Sequence, residues 1–115
     1  MKKLSIEFIG FDKLYNDTQS NMTYANRVDK NQREIVDGLR SIGCSVLLLN
    51  KVKGGCPDIL VGFDKRYNIL MEIKSENGKL NEAEKDFIDN WNGVVFVVRS
   101  FDDAKSIVED HKRRR

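Results

Sequence analysis

The chain reads as one α/β domain with element order α-β-β-β-α-β-α, a mixed central sheet flanked by helices. Three observations predict it. Apolar residues recur at i, i+4 and i+7 in Ile35, Leu39 and Ile42, the spacing of an amphipathic helix. Two strand-like runs face each other across Asp64–Asn68 as a hairpin, and Val94 to Val98 is a continuous apolar run of the kind found in a sheet covered on both faces. At 115 residues, 40% hydrophobic and 33% charged, there is material for one core and not for two.

Taken in chain order, residues 1–28 alternate weakly like a strand from Leu4 to Phe11 and are polar from Asn16 to Asn26. They read as an arm or accessory segment ahead of a domain over residues 29–111. A helix starts at Asn31 and ends at Gly43. Ser45–Asn50 is a buried strand, Lys51–Cys56 a glycine-containing loop, and Asp58–Phe63 and Ile69–Lys74 the arms of the hairpin. Asn77-Gly78 turns the chain, and Asn81 caps a helix that shows Ala83, Phe87 and Trp91 on one face and stops at Asn92-Gly93. After the valine-rich strand, Ser100 opens a last helix with Ala104, Ile107 and Val108 inward. Phe87, Trp91 and Phe96 are expected in the core, and His111 in solvent.

Twenty Lys+Arg oppose 18 Asp+Glu, a net charge of +2. Removing the basic tail, residues 112–115, leaves −2 over residues 1–111. The apolar runs are far below the roughly 20 residues needed to span a bilayer, so no membrane is expected. Met1-Lys2-Lys3 starts like a signal peptide, but Glu7 interrupts the apolar stretch and no small-residue cleavage site appears. Cys44 and Cys56 have neither CxxC spacing nor a nearby histidine, which excludes zinc and fits reduced thiols in the cytoplasm.

The chemistry concentrates in Pro57-Asp58 and Glu72-Ile73-Lys74. Side chains alternate along a strand, so Glu72 and Lys74 share a face. If the hairpin loop is Asp64-Lys65-Arg66, or any odd length, Asp58 lies opposite Glu72 on that face. A two- or four-residue loop turns it away. Two carboxylates and an ammonium on apolar strands are costly unless they pair or bind a cation. Oxygen ligands select hard metals, hence Mg²⁺ or Mn²⁺, with the Ile73 carbonyl as a further ligand.

These motifs sit within a wider pattern. Asn31-Gln-Arg-Glu-Ile-Val36, Gly54-Gly-Cys-Pro-Asp-Ile-Leu-Val-Gly62, Met71-Glu-Ile-Lys74 and Val97-Val-Arg-Ser100 fall in the order found in the PD-(D/E)XK nuclease superfamily. From about Arg27 to Val108 the chain resembles its small stand-alone VRR-NUC (virus-type replication-repair nuclease) members of phages and prophages. The resemblance implies a restriction-endonuclease-like α-β-β-β-α-β core and a metal-dependent DNA endonuclease. Asp58 and Glu72 would be metal ligands and Lys74 the catalytic lysine. Glu34 matches an acid from the first helix, either a further ligand or, through Asn31-x-x-Glu34, a capping box.

Stand-alone relatives imply a homodimer acting on branched DNA of the Holliday-junction type. Two alternatives are a non-catalytic DNA-binding module of the same fold, and a nuclease subunit acting on linear duplex with a separate recognition partner. Many relatives place glutamine where this chain has Glu84, which either caps its helix or faces the site. Lys53, Gly54 and Gly55 form either a phosphate cradle or a simple tight turn. Lys85 is either a phosphate contact or a solvated lysine, and the tail, with Arg113 and Arg114, either tracks DNA or solubilises the end.

Overall fold

The first helix owes its end to glycine. In the computed structural model, which describes residues 26–114 with side chains from Lys30 onward, α1 spans Asn26–Ser41. Gly43, at φ +95°, donates to Arg40 O, and Cys44 N–H reaches back to Leu39 O at 3.0 Å. This paired return is the Schellman arrangement, which glycine's left-handed backbone makes cheap. The start differs from expectation. The helix begins at Asn26, inside the segment read as an arm, because Asn26–Lys30 are too polar to show a helical period. Residues 1–25, including the strand-like stretch Leu4–Phe11, lie outside the described residues.

Four strands come next, in the order β1-β2-β3-β4: β1 Ser45–Leu48, β2 Ile59–Phe63, β3 Tyr67–Ile73 and β4 Val95–Val98. The first three pair antiparallel, and β4 runs parallel to β3. Between β3 and β4 lies α2, Glu82–Asn90, and α3, Phe101–Arg113, ends the chain. Asn81 and Ser100 cap them: each accepts through its side chain from the third residue on, Glu84 N and Asp103 N.

The hairpin loop is Asp64-Lys65-Arg66. Phe63 pairs with Tyr67, and every further pair shares that centre, through Ile59 with Met71. The loop is therefore odd. Asp64 and Lys65 take φ of 59° and 55°, and Arg66 N–H closes the turn on Phe63 O.

Alternation then sorts the sheet. Val46, Leu48, Ile59, Val61, Phe63, Ile69, Met71, Ile73 and Val98 are buried with Ile35, Val36 and Leu39 of α1 and Ala104 and Val108 of α3. Leu39 has no exposed surface, so Leu39→Ala would cost about 2–5 kcal/mol. The opposite face carries Leu47, Leu60, Leu70, Val95 and Val97, all half-buried. So β4 is not enclosed on both sides as its composition suggested, and α2 buries none of its residues. Trp91 and Phe87 stack on each other with ring centroids 5.2 Å apart, and Trp91 is 49% exposed, outside the core. Phe96 does pack against the core.

His111 is not solvated. Its ring stands edge-on to Phe63, Tyr67 and Phe96, and its Nδ1 lies 2.8 Å from Ile107 O. Lys112 and Arg113 of the basic tail likewise belong to the last turn of α3, where they complement the helix dipole, and Arg114 O accepts from the Tyr67 hydroxyl. No described helix is long and apolar enough to cross a membrane.

Candidate active site

Extending the hairpin register one pair beyond β2 sets Asp58 opposite Glu72. The contact is made through a side chain: Asp58 Oδ2 accepts the Ile73 N–H at 2.7 Å, replacing the carbonyl a longer strand would offer. Asp58 O still accepts from Leu49 N, so the backbone continues the β1–β2 ladder while the carboxylate crosses to β3. The preceding Pro57 is fully buried and fixes the entry of the chain. Asp58 and Glu72 are close enough that the charge of Asp58 disfavours ionisation of Glu72.

Lys74 joins them from the same face of β3. Its Nζ lies 3.3 Å from Glu72 Oε2 and 2.8 Å from Glu84 Oε1, the latter reaching in from the first turn of α2. Glu84 therefore does both things its sequence position allowed. It closes a capping box with Asn81 and faces the site.

Burial sets the electrostatics. Glu72 has 3% of its side chain exposed. That burial, then the charges of Asp58 and Glu84, pushes its pKa up to about 8, with Lys74 only partly offsetting them. Burial also raises Asp58, against the pull of the Ile73 N–H and Lys74. The Cys56 thiol is raised by burial and by both acids. For Lys74, burial alone would lower the pKa, but its contacts to Glu84 and Glu72 outweigh it and the ammonium is held above its ordinary value. Glu84 shows the reverse balance: burial raises it, while Lys74 and the Asn81 N–H bring it lower overall.

The site is short of positive charge. One ammonium is shared between Glu72 and Glu84, and Asp58 has none of its own. A hard divalent cation would supply the missing charge, and the converging oxygens of Asp58 and Glu72 are the ligands such an ion takes. Among the described residues no group of three or more His, Cys, Asp or Glu is arranged to hold a metal ion. Glu34 is accordingly not part of the cluster: it is exposed on α1. Nor is it a cap, since Asn31 lies well inside the helix.

What α1 contributes instead is amides, which the sequence reading missed. Gln32, 9% exposed, exchanges two hydrogen bonds with Asn50, which in turn reaches Asp58 Oδ1 at 3.4 Å. Asn31 donates to Lys74 O and Arg99 O, tying the helix to the ends of β3 and β4. A polar residue beside the apolar stripe was the available signal for Gln32; nothing local pointed to Asn50.

The remaining sequence candidates divide. Lys53 and Gly54 are exposed on the loop between β1 and β2, and Lys85 is exposed next to Glu84. At Gly55, φ is +77° and a Cβ would clash with Ala83 O, so only glycine lets this loop lie against the start of α2. Arg113 and Arg114, by contrast, are at the hairpin end, beyond the far end of β3 from Glu72.

A mixed four-stranded sheet backed by two helices is the α/β architecture of the restriction-endonuclease-like fold class. No family model and no curated protein matches the chain. Among solved structures it is similar to one described as a VRR_NUC domain, with TM-score 0.54 and 25% identity over 71% of this chain and 94% of that one. This likeness supports a fold shared with VRR-NUC nuclease domains.

Proposed function

We propose that the protein is a metal-dependent endonuclease that hydrolyses phosphodiester bonds in DNA. The observation that carries this reading is the convergence of Asp58 and Glu72 beside Lys74 on one face of the sheet. Asp58, Glu72 and the carbonyl of Ile73 would hold Mg²⁺ or Mn²⁺, which when bound polarises the phosphodiester and acidifies water. Asp58 keeps one oxygen on the Ile73 amide and presents the other. Lys74 orients the attacking water or stabilises charge developing on the phosphate.

Among the described residues no element for reading base sequence is evident, which favours recognition of DNA by shape. Branched DNA of the Holliday-junction type, cut by a homodimer in the cytoplasm, is the substrate and assembly favoured by the resemblance to stand-alone VRR-NUC proteins. The test is cleavage of matched four-way, flap and linear DNAs with Mg²⁺ by wild type, Asp58→Asn and Lys74→Ala. The expected outcome is metal-dependent cutting, strongest on the four-way substrate and lost in both variants. No metal-dependent cutting of any substrate, or unchanged cutting by both variants, would overturn the assignment.

A further inference from the structure

An ammonium has three protons to donate. At Lys74 the carboxylate of Glu84 takes the nearest position, with Oε1 at 2.8 Å and Oε2 at 3.0 Å, against 3.3 Å for Glu72. Surface Glu–Lys pairs are usually loose and contribute little. This one is different because Glu84 is itself fixed. Its Oε1 accepts the Asn81 N–H at 2.9 Å, and its own N–H donates to Asn81 Oδ1 at 2.8 Å. The segment joining Lys74 to α2 is held too: Arg99 Nη1 donates to Ser75 O at 2.6 Å and Gly78 O at 2.7 Å. Gly55 seats the preceding loop against Ala83.

We infer that Glu84 is a positioning residue, through which the capping box of α2 aims the ammonium of Lys74. The inference rests on the nuclease reading for what Lys74 then does. Both Glu84 oxygens face Lys74, and one also accepts the Asn81 amide, so the carboxylate is held toward the lysine. Glu84 and Glu72 together fix where the Lys74 ammonium sits. The helix start thereby becomes part of the catalytic geometry.

The test compares wild type with Glu84→Ala, Glu84→Met and Glu84→Gln. Methionine keeps the length and helix propensity of the side chain but offers no oxygen. Glutamine keeps an acceptor and still closes a capping box. At saturating DNA and Mg²⁺ the single-turnover rate is expected to fall about 30- to 100-fold in the alanine and methionine variants, with KM nearly unchanged, the scale of a misplaced catalytic group. Glutamine is expected to recover most of that loss.

A second readout needs no cleavage. Acylation of Lys74 by an amine-reactive reagent, followed by peptide mass spectrometry on the metal-free protein, is expected to rise severalfold in the alanine and methionine variants and to return toward wild type with glutamine. Unaltered rate and unaltered Lys74 reactivity in an active, folded Glu84→Met protein would overturn the inference. So would a loss of rate that glutamine does not rescue. Wild type without metal-dependent cleavage overturns the nuclease reading instead, and Lys74 acylation then decides whether Glu84 fixes the lysine.

Discussion

The two ends of the β2–β3 hairpin hold charge in opposite ways. At the Asp58–Glu72 end the charged groups are sheltered and mutually engaged: Glu72 is 3%, Glu84 15% and Lys74 18% exposed. At the other end Lys65, Arg66, Arg113 and Arg114 are exposed, with Arg66 over the Tyr67 ring and Arg114 paired to Asp110. Five residues of β3, about 17 Å, separate Tyr67 from Glu72. Desolvated charge fixes geometry and pKa, as chemistry requires; solvated charge adds long-range attraction that salt screens. The near-neutral net charge thus averages a sheltered acidic cluster of Asp58, Glu72 and Glu84 against exposed basic groups at the other end.

The sharpest way to break this contrast is at the sheltered end. Asp58→Asn or Glu72→Gln is expected to lower the Mg²⁺-dependent cleavage rate by about 10³-fold or more, measured in single turnover, since on the proposed function either change removes an anionic ligand. Next comes pH. Glu72 has its folded pKa raised from 4.5 to about 8, so its contribution to stability is fully present below 4.5 and is lost as pH rises through 8. Asp58, also raised, acts with the same sign, so the metal-free protein is expected to lose a few kcal/mol between about pH 5 and 9. Melting curves across that range should flatten in Glu72→Gln. Mg²⁺ should raise the melting temperature most at the alkaline end.

At the exposed end the effects are smaller and of another kind. Reversing Lys65 and Arg66 to glutamate is expected to weaken DNA binding about tenfold near 0.1 M salt and to reduce the slope of log K against log[salt] by about one for each phosphate no longer neutralised. Titrations at several salt concentrations, with Ca²⁺ in place of Mg²⁺, would measure it; an unchanged slope would remove this end from the DNA-binding surface. Smallest is Lys65→Gly. It relieves a left-handed φ of 55° and is expected to change stability by no more than about 1 kcal/mol, read from denaturant midpoints.

The same division separates what the sequence disclosed from what it hid. The end of α1 at Gly43 and the caps Asn81 and Ser100 are dictated by neighbouring residues, whereas the meeting of Asp58 with Glu72 hangs on the parity of the hairpin loop, which alternation alone leaves open and the structure makes odd. The Gln32–Asn50–Asp58 chain joins residues 18 and 8 apart through side-chain amides, with no period to reveal it. His111 and Trp91 were misplaced for a related reason. Whether an aromatic near a helix end is enclosed depends on what the fold brings beside it: three rings for His111, and for Trp91 the Phe87 ring, with half of the indole left to solvent.

The bond from Ile73 N–H to Asp58 Oδ2 has a practical consequence for any inactive variant. Asp58→Ala would leave a part-buried amide without its acceptor, at a cost of about 1–3 kcal/mol, and so confound loss of chemistry with loss of structure. Asp58→Asn retains an oxygen for that proton and is the cleaner probe. The amide itself becomes a single-atom reporter: its hydrogen-exchange rate and chemical shift in an NMR spectrum track the carboxylate it touches, so ligand binding at the site can be watched from the backbone without cutting any DNA.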